Sequence, residues 1–457
     1  MESLTPLDGS AWRTAVTQLA IVADDLTGAA DTGACFADAG FATGIPISGA
    51  TIPDADVVVL STESRDMSAS DAAQAVTTAV TKIIAAQCGK SETSADSHSV
   101  LFYKKIDSAL RGHPRDELLA VMAATGERRT LVAPAFPAEG RTTVGGRQYI
   151  DGVPLESSRF GGPGTVSDLV ALFANDLGAP VRHLDLATVR GQQEGIERLL
   201  DEGSDGIIVA DAETDGDLLA LGLALSGSRL RILCGTAGFA RQLARSLPLT
   251  ASASPFPEVV RGDGPILIVA GSQHESTARQ IEAIREAGLP IVRPAQGFID
   301  DPAIPVDATV AEVLVHLAAG RSTVLTTVGL APGSRGGHFV AARLAQVVAA
   351  PEVSSRVGGL VLTGGDVAAA VCTALDVSAL WLGGEIAPGL PWGVLEGGHL
   401  HARPIATKAG SFGSDDALIA CSEHLTSVAM RESAETNQGG EKIGPLHRPR
   451  AASRRSR

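Results

Sequence analysis

The sequence has few cysteines and few aromatic residues. Its five cysteines stand far apart, form no CxxC pair and are odd in number, which excludes a disulfide scaffold and predicts a reducing, cytoplasmic location. Aromatic residues make up only 4% of the chain, too few for a surface on which single-stranded nucleic acid stacks. Lys and Arg total 37 against 52 Asp and Glu, and the resulting net charge of -15 also argues against nucleic acid as a partner.

The sequence also lacks long hydrophobic runs and a recognisable signal segment. No stretch reaches the roughly 18 uninterrupted apolar residues that a membrane span requires, so we expect no membrane partner. The N-terminal residues contain acidic side chains and lack a basic start followed by an apolar run, so no secretory signal is predicted.

Glycine, by contrast, is abundant, and short apolar runs alternate with alanine-rich segments of helical period. This alternation predicts βα units. The candidate strands are residues 19–23, 57–60, 100–103, 130–133, 206–210, 231–234, 266–270, 323–326, 360–362 and 379–382. The predicted fold class is α/β, with two domains that each hold a mostly parallel sheet flanked by helices. Ligands of such sheets bind at the carboxyl ends of the strands.

A segment rich in Pro, Ser and Gly near residues 248–265 predicts the domain boundary. The predicted organisation is a first domain at 1–250, a linker at 251–264, a second domain at 265–430 and a disordered basic tail at 431–457. A second Gly- and Pro-rich segment, 135–164, is either a lid over a ligand or an irregular surface excursion, and the sequence favours neither.

Two carboxylates, Asp24 and Asp25, follow the first predicted strand, with Thr27 two residues after Asp25. Residues of these types at a strand end orient a hydroxylated substrate or act as a general base. They are equally typical of a helix N-cap, because Asp and Thr accept hydrogen bonds from free backbone N–H groups.

Cationic side chains follow further strands of the same half. Arg65 ends one strand segment, and Lys104, Asp107 and Arg111 lie in or after the next. Any single one of them is most simply a solvated loop charge, but together they favour an anionic, polyhydroxylated ligand. Arg141 belongs to the 135–164 segment and would reach the ligand if that segment is a lid.

The second half contains three glycine-containing turns, each after a strand or before a helix. Such turns expose backbone N–H groups at the positive end of a helix dipole, so three of them favour a nucleotide phosphate. Their candidate residues are Ser272, Thr363, Gly364, Gly365, Asp366, Val367, Lys408 and Gly410. A P-loop, a dinucleotide-binding GxGxxG motif and an HExxH zinc motif are all missing from the sequence.

Three blocks in combination carry a family resemblance over about residues 19–425: the ADDLTGAxDTG opening, a KxDSxLRG block and a late KxGxFG block. With them the sequence resembles the four-carbon acid sugar kinase family, which includes threonate, erythronate and 3-oxo-tetronate kinases. The resemblance implies an N-terminal domain that binds the sugar acid through Asp24, Asp25, Arg65, Lys104, Asp107 and Arg111. It implies a C-terminal domain that binds ATP through Ser272, the turn at 363–367 and Gly410. The chain departs from the family pattern at Val367, where a hydroxyl residue is usual, and at Ala409 and Ser411 in the late block.

The function that we predict is transfer of a phosphoryl group from ATP, with Mg²⁺, to the terminal hydroxyl of a four-carbon sugar acid, with the 4-hydroxyl preferred. The active site is expected in the cleft between the two domains, with Asp25 as the base and Asp24 as its alternative. A sugar-acid dehydrogenase or isomerase and a non-catalytic metabolite sensor remain as alternatives. The sequence leaves open the metal ligands, the stereochemistry of the acid and the oligomeric state, including a homo-oligomer.

Overall fold

The computed structural model describes residues 18–436 apart from 48, 89–99, 163, 175–179, 202–204, 227, 248–255, 258, 260–263 and 332. The strands are Gln18–Ala23 (β1), Thr43–Pro46 (β2), Val57–Ser61 (β3), Val100–Lys105 (β4), Arg129–Ala133 (β5), Arg141–Val144 (β6), Arg147–Ile150 (β7), Val153–Pro154 (β8), Val181–Leu184 (β9), Gly206–Ala210 (β10), Ile232–Gly235 (β11), Ile266–Ala270 (β12), Ile291–Val292 (β13), Thr323–Thr326 (β14), Gly359–Thr363 (β15), Ala379–Ala387 (β16), Leu390–Glu396 (β17) and Pro404–Lys408 (β18).

The α-helices alternate with these strands along most of the chain, as the sequence predicts. They are Leu26–Asp38 (α1), Ala69–Cys88 (α2), Pro114–Thr125 (α3), Leu169–Phe173 (α4), Leu186–Val189 (α5), Gln193–Asp201 (α6), Asp215–Leu225 (α7), Ala237–Ser246 (α8), Glu275–Glu286 (α9), Asp307–Leu317 (α10), Gly336–Ala349 (α11), Pro351–Ser354 (α12), Gly365–Ala374 (α13) and Ala417–Thr436 (α14). Every strand predicted from the sequence overlaps one of the observed strands. The predicted α/β class with a mostly parallel sheet is confirmed.

The two predicted sheets are joined edge to edge into one sheet of 15 strands. Its order is β13-β14-β12-β15-β18-β17-β16-β2-β3-β1-β4-β11-β5-β10-β9. The joint is the antiparallel pair of β16 and β2, in which Trp381 lies opposite Gly44. The antiparallel hairpin of β16 and β17 thereby pairs with β2 on one side and with β18 on the other, so neither half leaves an open strand edge at the joint.

Strand β1 explains why helices cover both faces of the sheet. Its residues are all buried, and successive side chains point to opposite faces. Leu19 and Ile21 belong to a core that includes α1, whereas Ala20 and Val22 belong to a second core with α2 and α3. A strand that is apolar on both faces is typical of a parallel sheet between two helix layers.

Helix α1 lies across the joint between the two halves. It contacts α8 in the first half and β16, β17 and α13 in the second. The close approach depends on Gly33, where a Cβ atom would lie only 2.6 Å from Cδ1 of Leu382. The helix that follows Asp24 and Asp25 therefore connects the N-terminal strand ends to the second half of the chain.

The 135–164 segment forms a small antiparallel sheet of β6, β7 and β8 instead of an irregular excursion. Its β6–β7 turn is fixed to the main body, because the Asp211 carboxylate accepts hydrogen bonds from the backbone N–H groups of Gly145 and Gly146 at 2.8 and 2.9 Å. His183 reinforces this anchor with its Nε2 atom 2.9 Å from the same carboxylate.

The two segments that the sequence predicts to be unstructured lie largely outside the described residues. Most of the linker at 251–264 falls there, as do residues 437–457 of the predicted tail. Helix α14 continues to Thr436 and so passes the predicted tail boundary at 430. Among the residues that the structure describes, no helix has the length and apolar character needed to cross a bilayer.

Candidate active site

Two cavities meet at the carboxyl ends of the central strands. The smaller is lined mainly by residues of the first half, and the larger, of about 610 Å³, by residues of both halves. Asp25, Arg65 and Arg111 line both cavities and so mark the place where they meet. A volume of several hundred Å³ is typical of a pocket for a cofactor-sized ligand.

Arg65 is the centre of an ion-pair network at this junction. Its Nε and Nη2 donate to the two carboxylate oxygens of Asp24 at 2.7 and 2.9 Å, and its Nη1 donates to Asp25 Oδ2 at 2.6 Å. Burial alone raises the pKa of Asp24, but Arg65, Lys105 and Lys104 outweigh it, so the pKa is lowered. Because both oxygens of the buried Asp24 are bound to Arg65, this carboxylate positions the guanidinium.

Asp25 has two roles that the sequence could not separate. It is the N-cap of α1, since its Oδ1 accepts a hydrogen bond from Gly28 N at 2.7 Å. Its Oδ2 accepts from Thr27 Oγ1 at 3.0 Å and from Arg65, and it faces the junction of the cavities. The cap holds the carboxylate in place while one of its edges remains beside the ligand space.

Asp107 and Arg111 form a second pair on the turn after β4. Arg111 donates from Nε and Nη2 to the Asp107 carboxylate at 3.0 and 2.7 Å. Burial raises the pKa of Asp107, but Arg111 and then Arg65 and Lys105 lower it far more, so the group is strongly acidic. The Arg111 side chain is 52% exposed, and the residue lines both cavities.

Lys104 does not line either cavity, and its prediction as a substrate-binding residue is corrected. Its side chain is 0% exposed, and its Nζ lies 2.8 Å from Glu117 Oε2 and donates to the carbonyl of Lys105 at 2.8 Å. Successive side chains of a strand leave opposite faces, so Lys105 is the one that faces the smaller cavity. Lys105 is also the first residue of the KxDSxLRG block.

Arg141 lines the smaller cavity from β6, so the small sheet of the 135–164 segment covers this cavity. Its guanidinium lies 5.6 Å from the ring centre of Phe160, and its Nε has no hydrogen-bond partner among the described residues. The other half closes the cavity through Phe412, whose ring meets Phe136 edge-on at 6.5 Å. A cation with a free donor in a partly apolar pocket suits a carboxylate.

Three turns of the second half follow β12, β15 and β18, which are neighbours in the sheet; the first two line the larger cavity, whereas Ala409 and Ser411 of the third line the smaller one. Gly364, with φ 100°, is the N-cap of α13, and its N donates to the Lys408 carbonyl at 2.9 Å. Only glycine adopts this φ readily. Gly410 abuts Ser272, whose Oγ would collide with any side chain at position 410. The turns after β12 and β18 are thus packed serine against glycine, and the turn after β15 is hydrogen-bonded to the end of β18.

The remaining predicted nucleotide-site residues fall into two groups. Asp366, Gly365 and Val367 line the larger cavity at the start of α13. Thr363 and Lys408 are fully buried beneath the turns. The Lys408 ammonium donates to the carbonyls of Ala409, Gly410 and Phe412, at 2.8, 3.2 and 3.1 Å. Burial lowers the pKa of Lys408 to about 8.

The structure adds residues to this site that the sequence reasoning missed. Gly336 and Gly337 begin α11 and line the larger cavity beside Asp366, so a second helix N-terminus faces it. The run of glycines before an amphipathic helix was a usable signal. Glu63 lines the same cavity in a left-handed conformation with φ 49°, which is strained for a non-glycine residue. Burial, followed by the charges of Asp25 and Asp366, raises the pKa of Glu63 to about 7.

The residues present fit a magnesium ion that is held partly by phosphate oxygens. Among the described residues, no group of three acidic, histidine or cysteine side chains is arranged to hold a metal. Asp25, Glu63 and Asp366 nevertheless line one cavity and lie close enough to influence the pKa of Glu63. One or two carboxylates are what Mg²⁺ takes from a protein when a substrate supplies phosphate oxygens.

Comparison with known proteins identifies the family. A family model described as a sugar-binding N-terminal domain matches residues 19–243, and one described as a nucleotide-binding C-terminal domain matches residues 267–418. The D-threonate kinase of Salmonella typhimurium is 34% identical over 430 residues, which cover 88% of this chain and 96% of the relative. The chain belongs to the four-carbon acid sugar kinase family.

Other members of the four-carbon acid sugar kinase family differ in the acid after which they are named. The D-erythronate kinase of Heliobacterium modesticaldum is 31% identical, covering 91% of this chain and 99% of the relative. The 3-oxo-tetronate kinase of Methylobacterium radiotolerans is 31% identical, covering 87% and 97%. The protein is therefore a phosphotransferase with an alcohol group as acceptor, and the dehydrogenase, isomerase and sensor alternatives are set aside.

A solved structure shares the fold of this family member. A Salmonella typhimurium LT2 protein matches with a TM-score of 0.70 and 21% identity, covering 91% of this chain and 99% of that protein. At this identity the likeness concerns the fold alone.

Proposed function

We propose that the protein transfers the γ-phosphoryl group of ATP to the terminal hydroxyl of a four-carbon sugar acid, with the 4-hydroxyl as acceptor. The acid occupies the smaller cavity, ATP occupies the larger one, and transfer takes place where the two meet. The observation that carries the proposal is that Asp25, Arg65 and Arg111 line both cavities. Phosphoryl transfer needs the attacking hydroxyl and the leaving oxygen in line with phosphorus and charged groups around the phosphate, and a shared junction provides that position.

Charge supports this orientation of the acid. Lys105 and Arg141 line the smaller cavity but not the larger one, and neither forms a bidentate carboxylate pair like that of Arg65 or Arg111. The carboxylate of the acid is therefore expected near these two cations. The chain of the acid then runs toward Asp25, which would accept the proton of the terminal hydroxyl as it attacks phosphorus.

The larger cavity supports the nucleotide assignment. Two helices of 10 and 14 residues, α13 and α11, begin at it, and both begin with glycine. Their free N–H groups and dipoles favour the phosphates of ATP, and the missing side chains permit a close approach. The guanidinium groups of Arg65 and Arg111 face the same point from the first half and stabilise charge on the transferred group.

Asp366 and Glu63 are the residues that would hold Mg²⁺ together with the phosphates, since both line the larger cavity. Bound there, the ion supplies charge neutralisation of the phosphate oxygens. The carboxylate of Asp25 is then available to accept the proton of the acceptor hydroxyl.

A panel assay tests the proposal. ADP release is measured with both enantiomers of threonate and erythronate and with their 3-oxo forms, and the phosphorylated carbon is identified by NMR. We expect strong turnover with one of these acids and a phosphate on C4. Turnover of none of them, or a phosphate on C2 or C3, would contradict the proposal.

The proposal also includes the cellular location and the oligomeric state of the protein. Cys35, Cys234, Cys372 and Cys421 are buried free thiols, which supports the reducing cytoplasm as the working location. Assaying the kinase activity in cytoplasmic and in periplasmic cell fractions distinguishes the two locations. Light scattering of the purified protein decides between a monomer and a homo-oligomer.

A further inference from the structure

Asp31 is a buried acidic residue in the smaller cavity that has no assigned role. It lies on α1 one turn after Gly28, so both residues are on the same face of the helix. The residue is 6% exposed and lines the smaller cavity but not the larger one. Its position is therefore away from the junction at which we propose that phosphoryl transfer occurs.

One of the two oxygens of the Asp31 carboxyl is unsatisfied in the part of the chain that the structure describes. No group among the described residues donates a hydrogen bond to its buried Oδ1. Native proteins pair nearly all buried polar atoms, because an unpaired acceptor loses its water without compensation. A buried and unpaired oxygen on a cavity wall is therefore expected to be completed by a ligand that donates a hydrogen bond.

The charges around Asp31 decide which ligand group that is. Burial, followed by Glu385 on β16, raises the pKa of Asp31 to about 7, Lys105 on β4 and Arg241 on α8 oppose the shift, and Glu139 adds to it. Arg241 is itself paired with Glu385 at 2.6 Å. A second carboxylate would be repelled by Asp31 and Glu385, and a cation by Lys105 and Arg241. A neutral hydroxyl is the donor that fits.

We propose that Asp31 accepts a hydrogen bond from a secondary hydroxyl of the sugar acid, at C2 or C3, and thereby selects the configuration of that carbon. This inference rests on the proposed function, since it assumes a polyhydroxy acid in the smaller cavity. Asp31 is a specificity residue in this scheme and Asp25 the base. A site built to bind one hydroxyl discriminates strongly against an analogue that lacks it, because its own polar group is then left unpaired.

The test compares kcat/KM of the wild type, Asp31→Ala and Asp31→Asn with the preferred tetronate and with its 2-deoxy and 3-deoxy forms. In the wild type, kcat/KM for one of the two deoxy acids is expected to be roughly 10- to 100-fold lower than for the full acid. In Asp31→Ala, kcat/KM for the full acid is expected to fall by about the same factor. For that deoxy acid, kcat/KM should fall by less than about 3-fold. Asp31→Asn keeps an acceptor oxygen and should recover part of the loss. Asp38→Ala, at the other end of α1, should leave all three substrates unchanged.

The possible outcomes separate the hypotheses. An equal loss with the full acid and both deoxy acids indicates a structural role and contradicts this inference alone, as do unchanged kinetics in a folded variant. If Asp31→Ala does not fold, the same comparison with Asp31→Asn decides, because a hydroxyl contact still predicts a larger effect on one acid than on the other two. Absence of turnover with every tetronate in the wild type contradicts the proposed function and this inference with it.

Discussion

The carboxylate of Asp25 lies beside the backbone of Gly365, so that a Cβ atom on Gly365 would be only 3.3 Å from Asp25 Oδ2. One residue is the N-cap of α1 and the other is the first residue of α13. The starts of two helices, one from each half of the chain, therefore meet at the point where the two cavities join. A ligand phosphate at the start of α13 would lie next to the proposed base.

Gly365→Val should raise the KM for ATP by at least about 10-fold and that for the acid by much less. A branched side chain would occupy the space between α13 and Asp25 and keep phosphate away from the backbone. Steady-state kinetics with each substrate varied measures the difference. Gly195→Ala is the matched control, because nothing lies within 4 Å of a Cβ atom at this helical position. An unchanged KM for ATP in a folded Gly365→Val protein would show that phosphate does not approach here.

The neighbours Lys104 and Lys105 should give opposite results when each is changed to Met. Lys104→Met leaves Glu117 buried without its partner and should cost about 3–5 kcal/mol of stability. Lys105→Met should preserve the fold and lower kcat/KM for the acid by roughly 10- to 100-fold, equivalent to about 1.5–3 kcal/mol. Urea denaturation and kinetics on both proteins check this. Similar losses of stability would contradict the assignment of the two side chains to different faces.

These two lysines also illustrate what could be predicted from the sequence. The strand ends were predictable, since βα alternation is a local pattern, and the acidic and basic side chains at those ends do gather around the two cavities. The face that each side chain takes was not predictable. Because β4 is buried on both faces, its sequence has no polar side to mark the direction of the cavity.

Contacts between distant segments explain the other omissions. The pairing of β16 with β2 joins residues that are more than half the chain apart, so no local sequence pattern predicts the continuous sheet. The raised pKa values of Asp31 and Glu63 depend in part on Glu385 and Asp366, which belong to the second half. The Gly336–Gly337 start of α11 was an omission with a local signal.

Asp25→Asn should lower kcat by roughly 10²- to 10⁴-fold, because the amide keeps the helix cap but cannot accept the proton. Asp24→Asn should have a smaller effect on kcat, since Arg65 retains Asp25 as a partner. It should instead cost about 2–3 kcal/mol of stability at neutral pH, where the wild-type carboxylate is charged. Kinetics and urea denaturation of both variants measure this. A large loss of kcat in Asp24→Asn alone would transfer the role of base to Asp24.

Because Gly410 in the turn that Lys408 supports abuts Ser272 of the larger cavity, the KM for ATP should rise as the pH increases through about 8, the value to which burial lowers the pKa of Lys408. The charged ammonium has three N–H groups for the three carbonyls of its turn, whereas the neutral amine has two and must release one of them. Measuring the KM for ATP between pH 7 and 9.5, on the order of one unit either side of this pKa, tests the effect. Lys408→Met should bind ATP weakly at every pH and lack the rise. A wild-type KM that is flat across this range would rule out the ammonium as the support of the turn.

Asp31→Asn should make the protein more stable at pH 8 while impairing its activity. The pKa of Asp31 is raised from 3.8 to about 7 in the folded protein, so the folded state retains a proton that the unfolded state has lost between these values. The stability contributed by this group is thus present below about pH 4 and is lost as the pH rises through about 7. The asparagine does not ionise, so its advantage over the wild type should grow across that window to on the order of 2–4 kcal/mol. Urea denaturation of both proteins at pH 5 and pH 8 measures it. An equal difference in the free energy of unfolding between variant and wild type at the two pH values would mean that ionisation of Asp31 does not destabilise the folded protein. A larger difference at pH 8 would identify Asp31 as a residue that lowers stability at the substrate site.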